Sequence, residues 1–600
     1  MVSSGMNGRR LDIDLAVGTA RDQQISNEVL RNFIGGRGLG IKLLWDMAPE
    51  GVDPLAPGNP LILAIGPYTG AGVFSAFFNV TTKAPLTGLA AASHCGGHWG
   101  PAFKRTGYDC MTVTGAAGAP VYILVEEGIA TIKDASHLWG KGVFETEELI
   151  HEVEGKAEIL SIGPAGENLV KYAAMMNGHR AAGRSGVGAV MGSKKLKAIV
   201  VKGEVQTQYA YPDKVKEISK GSGKLAVKTA QPFAKYGSSM AFDVFNEMHT
   251  LPTRNFRGGY FEKAHNIDAE VLKSKYFLKN RGCAQCPLRC GNVHTIKDGA
   301  YQLQEVEGPE YETMMSFGSN CGNDNIESIL MANYLCNDLG LDTISCGDTI
   351  ALVMDLFELG IVKEADLDGI SLNWGEHESI VALIPKIAYR EGVGGLLAEG
   401  SFRAAEKWGP KAAARVIHAK KQEYPGYESR RSFGTGFSLV TSNRGACHLR
   451  AGLYVNELFL SEFKESGFEG NMQTLLDKEH LLCLYDSFLS CKFGGRNAGH
   501  TSELLTGLIN ALTGFGYNEQ ELMQVGERIW NLERLYNLRE GVEEDLPPSR
   551  FFCESLDDGH EGGDAISMER FVKARTQYYE ARDWDEKGVP SVFKQAHLGL

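Results

Sequence analysis

Residues 281–294 read RGCAQCPLRCGNVH and set Cys283, Cys286 and Cys290 in a C-x2-C-x3-C run. Three thiols so close together can wrap one face of an iron–sulfur cluster when a fourth thiolate arrives from elsewhere in the chain. A structural zinc ion is the competing reading, because C-x2-C also opens zinc sites. Zinc sites more often pair two such knuckles, and the sequence has no second C-x2-C; His294 is a weak substitute ligand. The remaining cysteines, at 95, 110, 321, 336, 346, 447, 483, 491 and 553, are the candidates for the fourth position.

Two glycine-rich stretches invite phosphate-binding readings. FIGGRGLGIKLLWD (33–46) has Gly36-x-Gly38-x-Gly40, which is not the G-x-G-x-x-G of a dinucleotide turn and argues against a nicotinamide site. GRSGVGAVMGSKKLKAIVV (183–201) breaks the spacing of a nucleotide phosphate loop. Its successive Gly amides, followed by Lys194, Lys195 and Lys197, would nevertheless suit a phosphate-bearing ligand. A Gly-rich turn leading into a core strand, with solvated lysines, accounts for the same residues equally well.

CNDLGLDTIS (336–345) and DSFLSCKF (486–493) share a spacing: a polar residue, four intervening positions, then Asp342 or Cys491. Together with RGCAQCPLRC they resemble the tungsten-containing aldehyde:ferredoxin oxidoreductase family, which pairs C-x2-C-x3-C with two D-x-x-G-L-[D/C] motifs. GGRGLGIKLLWD, NVTTKAPLTG, GPAGEN, AAGRSGVGAVMGSKKLKAI, GPEYET, TSNRGACHLRAG and GERIWNLERLYNLREG extend the resemblance, in order, across nearly the whole chain. The resemblance implies one [4Fe-4S] cluster on Cys283, Cys286, Cys290 and Cys491. It also implies tungsten (or molybdenum) held by two pterin dithiolenes, with Mg²⁺ bridging the pterin phosphates. Asp342 and Asp486 match the family's pterin-binding carboxylates, which accept from ring N–H groups. Arg450 and the Gly-rich segment containing Arg184 suit the phosphates, and His94 aligns with the family's magnesium-site Asn. Glu312 in GPEYET and His448 in GACHLRAG match the residues near the metal, the acid–base groups that hydrating and oxidising an aldehyde requires. Glu310 is an equally visible neighbour.

The chain departs from that pattern in places. Asn337 replaces the first carboxylate of the first motif and keeps an acceptor without the charge. Leu489-Ser490 replaces Gly-Leu in the second, so a different backbone approach is expected there. Phe77, in SAFFNV, stands where relatives carry an arginine between pterin and cluster, and a missing cation should lower the cluster potential. MANY (331–334) lacks an E-x-x-H pair, so no interface iron is expected.

The elements that must hold these residues divide along the chain. Up to residue 208 short strands dominate: Leu11, Ile13 and Leu15 alternate with Asp12 and Asp14, and PLILAIGPY, CMTVTG, VYILVEEGIATIK and KAIVVKG follow. Beyond it the pattern turns helical, with Ile350, Val353, Leu356 and Phe357 on one stripe and Leu522, Val525, Ile529, Leu532, Leu535 and Tyr536 on another. The expected fold is α+β: a β-rich cofactor-binding base (1–208), then two mainly helical domains (209–417 and 418–600). Gly is abundant at 72 of 600 residues, which suits close backbone approaches around a large ligand.

A net charge of −13 argues against nucleic acid and anionic membranes as partners. Arg9-Arg10 mimics a twin-arginine signal, but Asp12 and Asp14 interrupt the apolar stretch such a signal needs. No segment reaches the ~18 apolar residues of a membrane helix. A cytoplasmic enzyme is expected, and its cysteines favour ligands and buried thiols over disulfides. It would oxidise an aldehyde to a carboxylic acid and pass electrons to ferredoxin or an iron–sulfur subunit. A reductive tungsten subunit of the class II benzoyl-CoA reductase type, acting on an aromatic acyl-CoA, is the alternative, and a non-catalytic electron-transfer subunit a further one. A homo- or hetero-oligomer is compatible with each. Arg281, Arg289 and Lys273, Lys275 and Lys279 flank the cysteines and are the expected electron-exit surface.

Overall fold

The computed structural model describes residues 4–460, 468–542 and 544–600. Its N-terminal part is built on two six-stranded sheets. The first contains β1 (Arg9–Asp14), β2 (Thr19–Gln24), β3 (Leu61–Ala64), β4 (Phe78–Lys83), β5 (Ala90–Cys95) and β6 (Cys110–Thr114), in the order β2-β1-β6-β3-β4-β5. The second contains β7 (Val121–Glu126), β8 (Ile129–Asp134), β9 (Glu158–Ser161), β10 (Met175–Asn177), β11 (Arg180–Ala182) and β12 (Leu196–Lys202), in the order β11-β10-β9-β12-β7-β8. Alternation holds in β1, where Leu11 and Ile13 are buried and Asp12 and Asp14 are half-buried. Edge strands β5 and β11 meet, so the two sheets join where His94 and the Arg184 turn emerge.

Helices cover this base: α1 (Gly36–Met47), α2 (Val187–Ser193), α3 (Pro212–Thr229), α4 (Gln231–Tyr236), α5 (Tyr311–Phe317), α6 (Ile326–Leu339), α7 (Thr343–Glu358), α8 (Met472–Phe488), α9 (Lys492–Asn497) and α10 (Glu519–Arg539) are those that position the site. α10 starts on a capping box between Asn518 and Glu521. It buries Leu522, Val525, Ile529, Leu532 and Tyr536, each contributing roughly 1.5–3 kcal/mol. Leu535, expected on the same stripe, is half-buried. The region read as mainly helical also holds a three-stranded sheet, β13 (Phe277–Arg281), β14 (Gly291–Ile296) and β15 (Leu303–Glu307), and the cysteine run is the β13–β14 connection. Its short strands lack a clean alternation, which hides them from the sequence.

The glycine stretches find their purpose in packing. The α1 stretch is a helix start and not a nucleotide turn: a Cβ at Gly36 would lie 2.3 Å from the Asp486 carbonyl O. One at Gly66 would lie 2.5 Å from that of Phe488, and one at Gly163 only 2.4 Å from that of Leu339. Each motif helix, α8 or α6, therefore ends directly on a glycine of the base. Only a residue without Cβ permits that contact.

Candidate active site

Asp342 caps α7, its Oδ1 accepting from Ile344 N at 3.1 Å and its Oδ2 from Ser345 Oγ at 2.8 Å. The segment before it pairs with the base, through Ala174 N to Gly340 O (2.8 Å) and Asp342 N to Tyr172 O (3.1 Å). Arg184 Nε lies 3.2 Å from Asp342 Oδ2, while Arg184 Nη2 donates to Glu423 O at 2.7 Å. Asn337 sits half-buried in the last turn of α6. The adjacent Asp338 turns away and accepts from Phe144 N at 3.1 Å.

Asp486, in the last turn of α8, is the centre of a second constellation. Lys492 Nζ is 2.6 Å from its Oδ1, Arg450 Nη1 3.0 Å and Arg37 Nη1 3.3 Å from its Oδ2, and His94 Nε2 3.6 Å from Oδ1. Burial opposes ionisation, but the cations around it hold the Asp486 carboxyl far below the usual range. Arg37 is clamped by Glu533 of α10 at 2.7 and 2.6 Å. Burial pulls Lys492 down to about 8, with Asp486 opposing, and burial with Arg37 and Arg444 pulls Arg450 down to about 10. Burial also keeps His94 neutral. Arg37, Arg450 and Lys492 thus outnumber Asp486 and Glu533, and the buried Nε atoms of Arg444 and Arg450 have no hydrogen-bond partner among the described residues. Excess buried positive charge and orphaned donors fit an anionic ligand.

Leu489 does not alter the backbone as expected. It ends α8 at φ 66° with its N–H on Tyr485 O, as Gly340 ends α6 at φ 77° with its N–H on Cys336 O. The second motif keeps the left-handed cap without glycine, at a cost on the order of 1 kcal/mol.

Between the constellations, His448 Nδ1 faces Glu312 Oε1 at 3.4 Å. Glu312 stands in the first turn of α5, and its Oε2 accepts from Gly426 N at 2.8 Å. Burial, aided by Asp342 and Cys447, raises the Glu312 carboxyl to about 7 against the Gly426 amide and Arg184. Burial, then Arg184, Arg444, Lys492 and Arg496, keep His448 neutral. The Tyr427 ring lies 5.5 Å from the imidazole and stacks on Tyr454 at 4.8 Å. Glu310 does not share this place: it caps α5 beside Ser238, with Arg180 3.8 Å away. Arg444 Nη2 donates to Cys447 Sγ at 2.8 Å, and Arg444, Arg450 and Arg184 pull that thiol down against burial.

Cys283, Cys286, Cys290 and Cys491 are brought together. Each of the last three feels one or more of the others electrostatically, and Cys286, Cys290 and Cys491 pack on one apolar cluster with Phe74, Ala226, Ala230 and Leu288. Burial raises Cys286 and Cys290, and burial with Cys286 and Cys283 raises Cys491 to about 12. Four thiols placed to repel one another as thiolates fit a positively charged inorganic group. Cys491 caps α9 and accepts from Gly494 N at 3.4 Å. A Cβ at Gly96 would stand 3.0 Å from Cys283 Sγ and 3.3 Å from the Phe77 ring. Cys483, the other nearby thiol, lies instead among Arg37, Glu533 and Asp486. His294 bonds to Gly308 O at 2.6 Å through Nδ1. Among the described residues no three His, Cys, Asp or Glu side chains are spaced for a single metal ion.

The folded chain gives three expectations a setting that the sequence alone does not show. Lys194, Lys195 and Lys197 are engaged within the protein: Lys194 donates to Pro57 O (3.1 Å), Lys195 to Gly118 O (2.8 Å), and Lys197 to Lys141 O (2.7 Å) and Glu167. Lys194 and Lys197 are buried in the base, while Lys195 stays exposed. The cysteine region does not lack a cation, because Arg180, paired with Glu307, lies beside Cys283 and Cys290. The basic flank is compensated in part: Lys279 and Arg281 pair with Glu305, Lys273 covers the Phe277 ring at 3.0 Å, and Arg289 donates to Asn280 O at 3.0 Å. Sequence reasoning missed Arg37, Glu533, Lys492, Arg444 and Cys447. Arg37 stands inside the misfitting glycine stretch, and Lys492 follows Cys491, but only the folded chain joins them.

Comparison with known proteins agrees with this arrangement. Residues 10–203 match the family "Aldehyde ferredoxin oxidoreductase, N-terminal domain" and residues 215–600 match "Aldehyde ferredoxin oxidoreductase, domains 2 & 3". The tungsten-containing aldehyde ferredoxin oxidoreductase of Pyrococcus furiosus is 39% identical, over 99% of this chain and 98% of the relative. That of Thermococcus kodakarensis is 38% identical over the same shares. The P. furiosus aliphatic sulfonate oxidoreductase, WOR-like subunit, is 30% identical over 99% of this chain and 97% of the relative. A solved active-site complex BamBC of benzoyl coenzyme A reductase with 1,5-dienoyl-CoA shares the fold, with a TM-score of 0.84 at 23% identity over 100% of this chain and 98% of that one. With two family matches spanning nearly its whole length and carboxylates, cations and thiols folded into one centre, this chain belongs to the aldehyde ferredoxin oxidoreductase family.

Proposed function

We propose that the protein oxidises an aldehyde and water to a carboxylic acid, releasing two electrons and two protons, and that the electrons leave singly through a [4Fe-4S] cluster to ferredoxin or an iron–sulfur subunit. Cys283, Cys286, Cys290 and Cys491 would hold the cluster. Asp342 with Arg184, and Asp486 with Arg450, Lys492 and His94, would hold the pterins of a tungsten (or molybdenum) cofactor and its Mg²⁺-bridged phosphates, with Asn337 a further acceptor. The bound metal supplies the two-electron redox step.

The observation that carries the reading is the Glu312–His448 pair, a carboxyl of pKa about 7 against a neutral imidazole at 3.4 Å. Ionised, Glu312 takes the proton from the attacking water; the Gly426 amide fixes the carboxylate, and His448 Nδ1 lies within reach to share the proton. Tyr427 and Tyr454 wall the imidazole from bulk water, which strengthens the coupling.

Protein purified without oxygen should contain iron with tungsten or molybdenum and reduce a viologen dye with aldehydes. Glu312→Gln and His448→Asn should keep the metals and lose roughly 10²–10⁴-fold in rate. Stoichiometric zinc in place of iron, turnover of an aromatic acyl-CoA but no aldehyde, or wild-type rates in both variants would each refute the reading.

A further inference from the structure

The cysteine site has a thin outer wall. Ala226 in α3, Ala230 at the α3–α4 junction and Phe233 in α4 pack on the cluster that includes Cys286, Cys290 and Cys491. Thr229 Oγ1 donates to Asn497 O at 2.7 Å, tying α3 to the helix that Cys491 caps. α3 buries Val215, Ser222 and Ala226. Lys216, Lys220, Lys224 and Lys228 recur every four residues on the opposite, exposed face. From 218 to 236 the chain carries Lys220, Lys224, Lys228 and Lys235 and no acidic residue, in a protein of net charge −13; the exposed acids of α3, Asp213 and Glu217, stand at its N-terminal end. Lys235 lies 3.8 Å from Glu270, whereas no salt bridge of Lys220, Lys224 or Lys228 is found among the described residues. Leu225 and Val227, 43% and 45% exposed, add apolar surface beside the stripe. α3 is about 10 Å across, and its inner face belongs to the apolar cluster on which Cys286, Cys290 and Cys491 pack.

We infer that the lysine face of α3 is where an acidic iron–sulfur carrier protein docks to take single electrons, in place of the Lys273–Lys279 flank, where Lys279 is already paired with Glu305 and Lys273 is laid on the Phe277 ring. The inference rests on the reading that the four cysteines hold a cluster. The step is balanced within the pair: the reduced cluster loses one electron and the oxidised carrier gains it. Charge complementarity selects the carrier, since an acidic partner repelled by the rest of this surface is attracted only where lysines stand unopposed.

The test uses holoenzyme reduced by dithionite, mixed in stopped flow with an acidic bacterial ferredoxin or with a small viologen dye. Lys220→Gln/Lys224→Gln/Lys228→Gln should slow transfer to ferredoxin on the order of 10-fold at low salt and flatten its salt dependence. Transfer to the dye should stay as in wild type, and Lys273→Gln/Lys275→Gln/Lys279→Gln should change neither. Carbodiimide cross-linking of the unaltered protein should join ferredoxin through Lys220, Lys224 or Lys228. The inference is overturned if the α3 variant with its full iron content transfers at the wild-type rate and salt slope, if the flank variant shows the loss, or if dye and ferredoxin rates fall together. Protein without iron would instead overturn the cluster reading. Failure of aldehyde oxidation alone leaves this experiment intact, because dithionite supplies the electrons.

Discussion

Glu312 links activity, stability and pH through one carboxyl. Its value rises from the ordinary 4.5 to about 7 in the folded protein, chiefly through burial. Across that interval the folded state binds a proton that the unfolded state has lost, so this carboxyl's contribution to stability is fully present below pH 4.5 and is lost as pH rises through about 7. At 1.36 kcal/mol per pH unit the cost at pH 8 reaches about 3 kcal/mol. Glutamine mimics the protonated carboxyl at every pH. Glu312→Gln should therefore match wild type near pH 4.5 and exceed it by up to about 3 kcal/mol at pH 8. The check is a urea midpoint series for both proteins under anaerobic conditions. On the activity side, kcat/KM with an aldehyde should climb with pH through about 7 as Glu312 ionises, and the residual activity of the variant should lose that limb. A stability difference that does not change with pH, or a variant that keeps the limb, would refute the assignment.

Cys491→Ser should lose iron as completely as Cys286→Ser, while Cys483→Ser keeps it; iron analysis of the three proteins decides. Arg37→Met strands Glu533 in the core and should cost roughly 3–5 kcal/mol, and adding Glu533→Gln should recover much of it, read by denaturant midpoints. Gly66→Ala places a methyl 2.5 Å from the Phe488 carbonyl O and should displace the Asp486 segment, reducing bound tungsten or molybdenum more than it lowers the melting temperature.

The legible parts of the site were those whose spacing carries the chemistry locally. The cysteine run, the two motif ends and the GPEYET and GACHLRAG segments all reached the centre, and Cys491 stands with the other three cysteines. The α+β division was legible because period-2 strands precede period-3.6 helices. What failed was direction and pairing. Lys194 and Lys197 read equally well as phosphate ligands or as solvated lysines, because a linear sequence does not say which way a turn leaves its side chains; both are buried. Arg37 looked incidental because its partner Glu533 is 496 positions away. The β13–β15 sheet was hidden because its register comes from neighbouring strands and not from its own pattern.

The same Arg37–Glu533 clamp bears on how the protein is made. Asp486 is held by residues at 37, 94, 450 and 492, and Arg37 is shared between Asp486 and Glu533, both made late in the chain. At a synthesis rate of roughly 5–20 residues per second, the emerged N-terminal base waits about 15–65 seconds for Glu533. During that wait the guanidinium and the glycine seats of the base face solvent or a chaperone. The anion cradle around Asp486 cannot exist before most of the polypeptide has left the ribosome. Cofactor loading is thereby made a post-translational event, and a truncated chain has no finished place in which to trap a scarce metal.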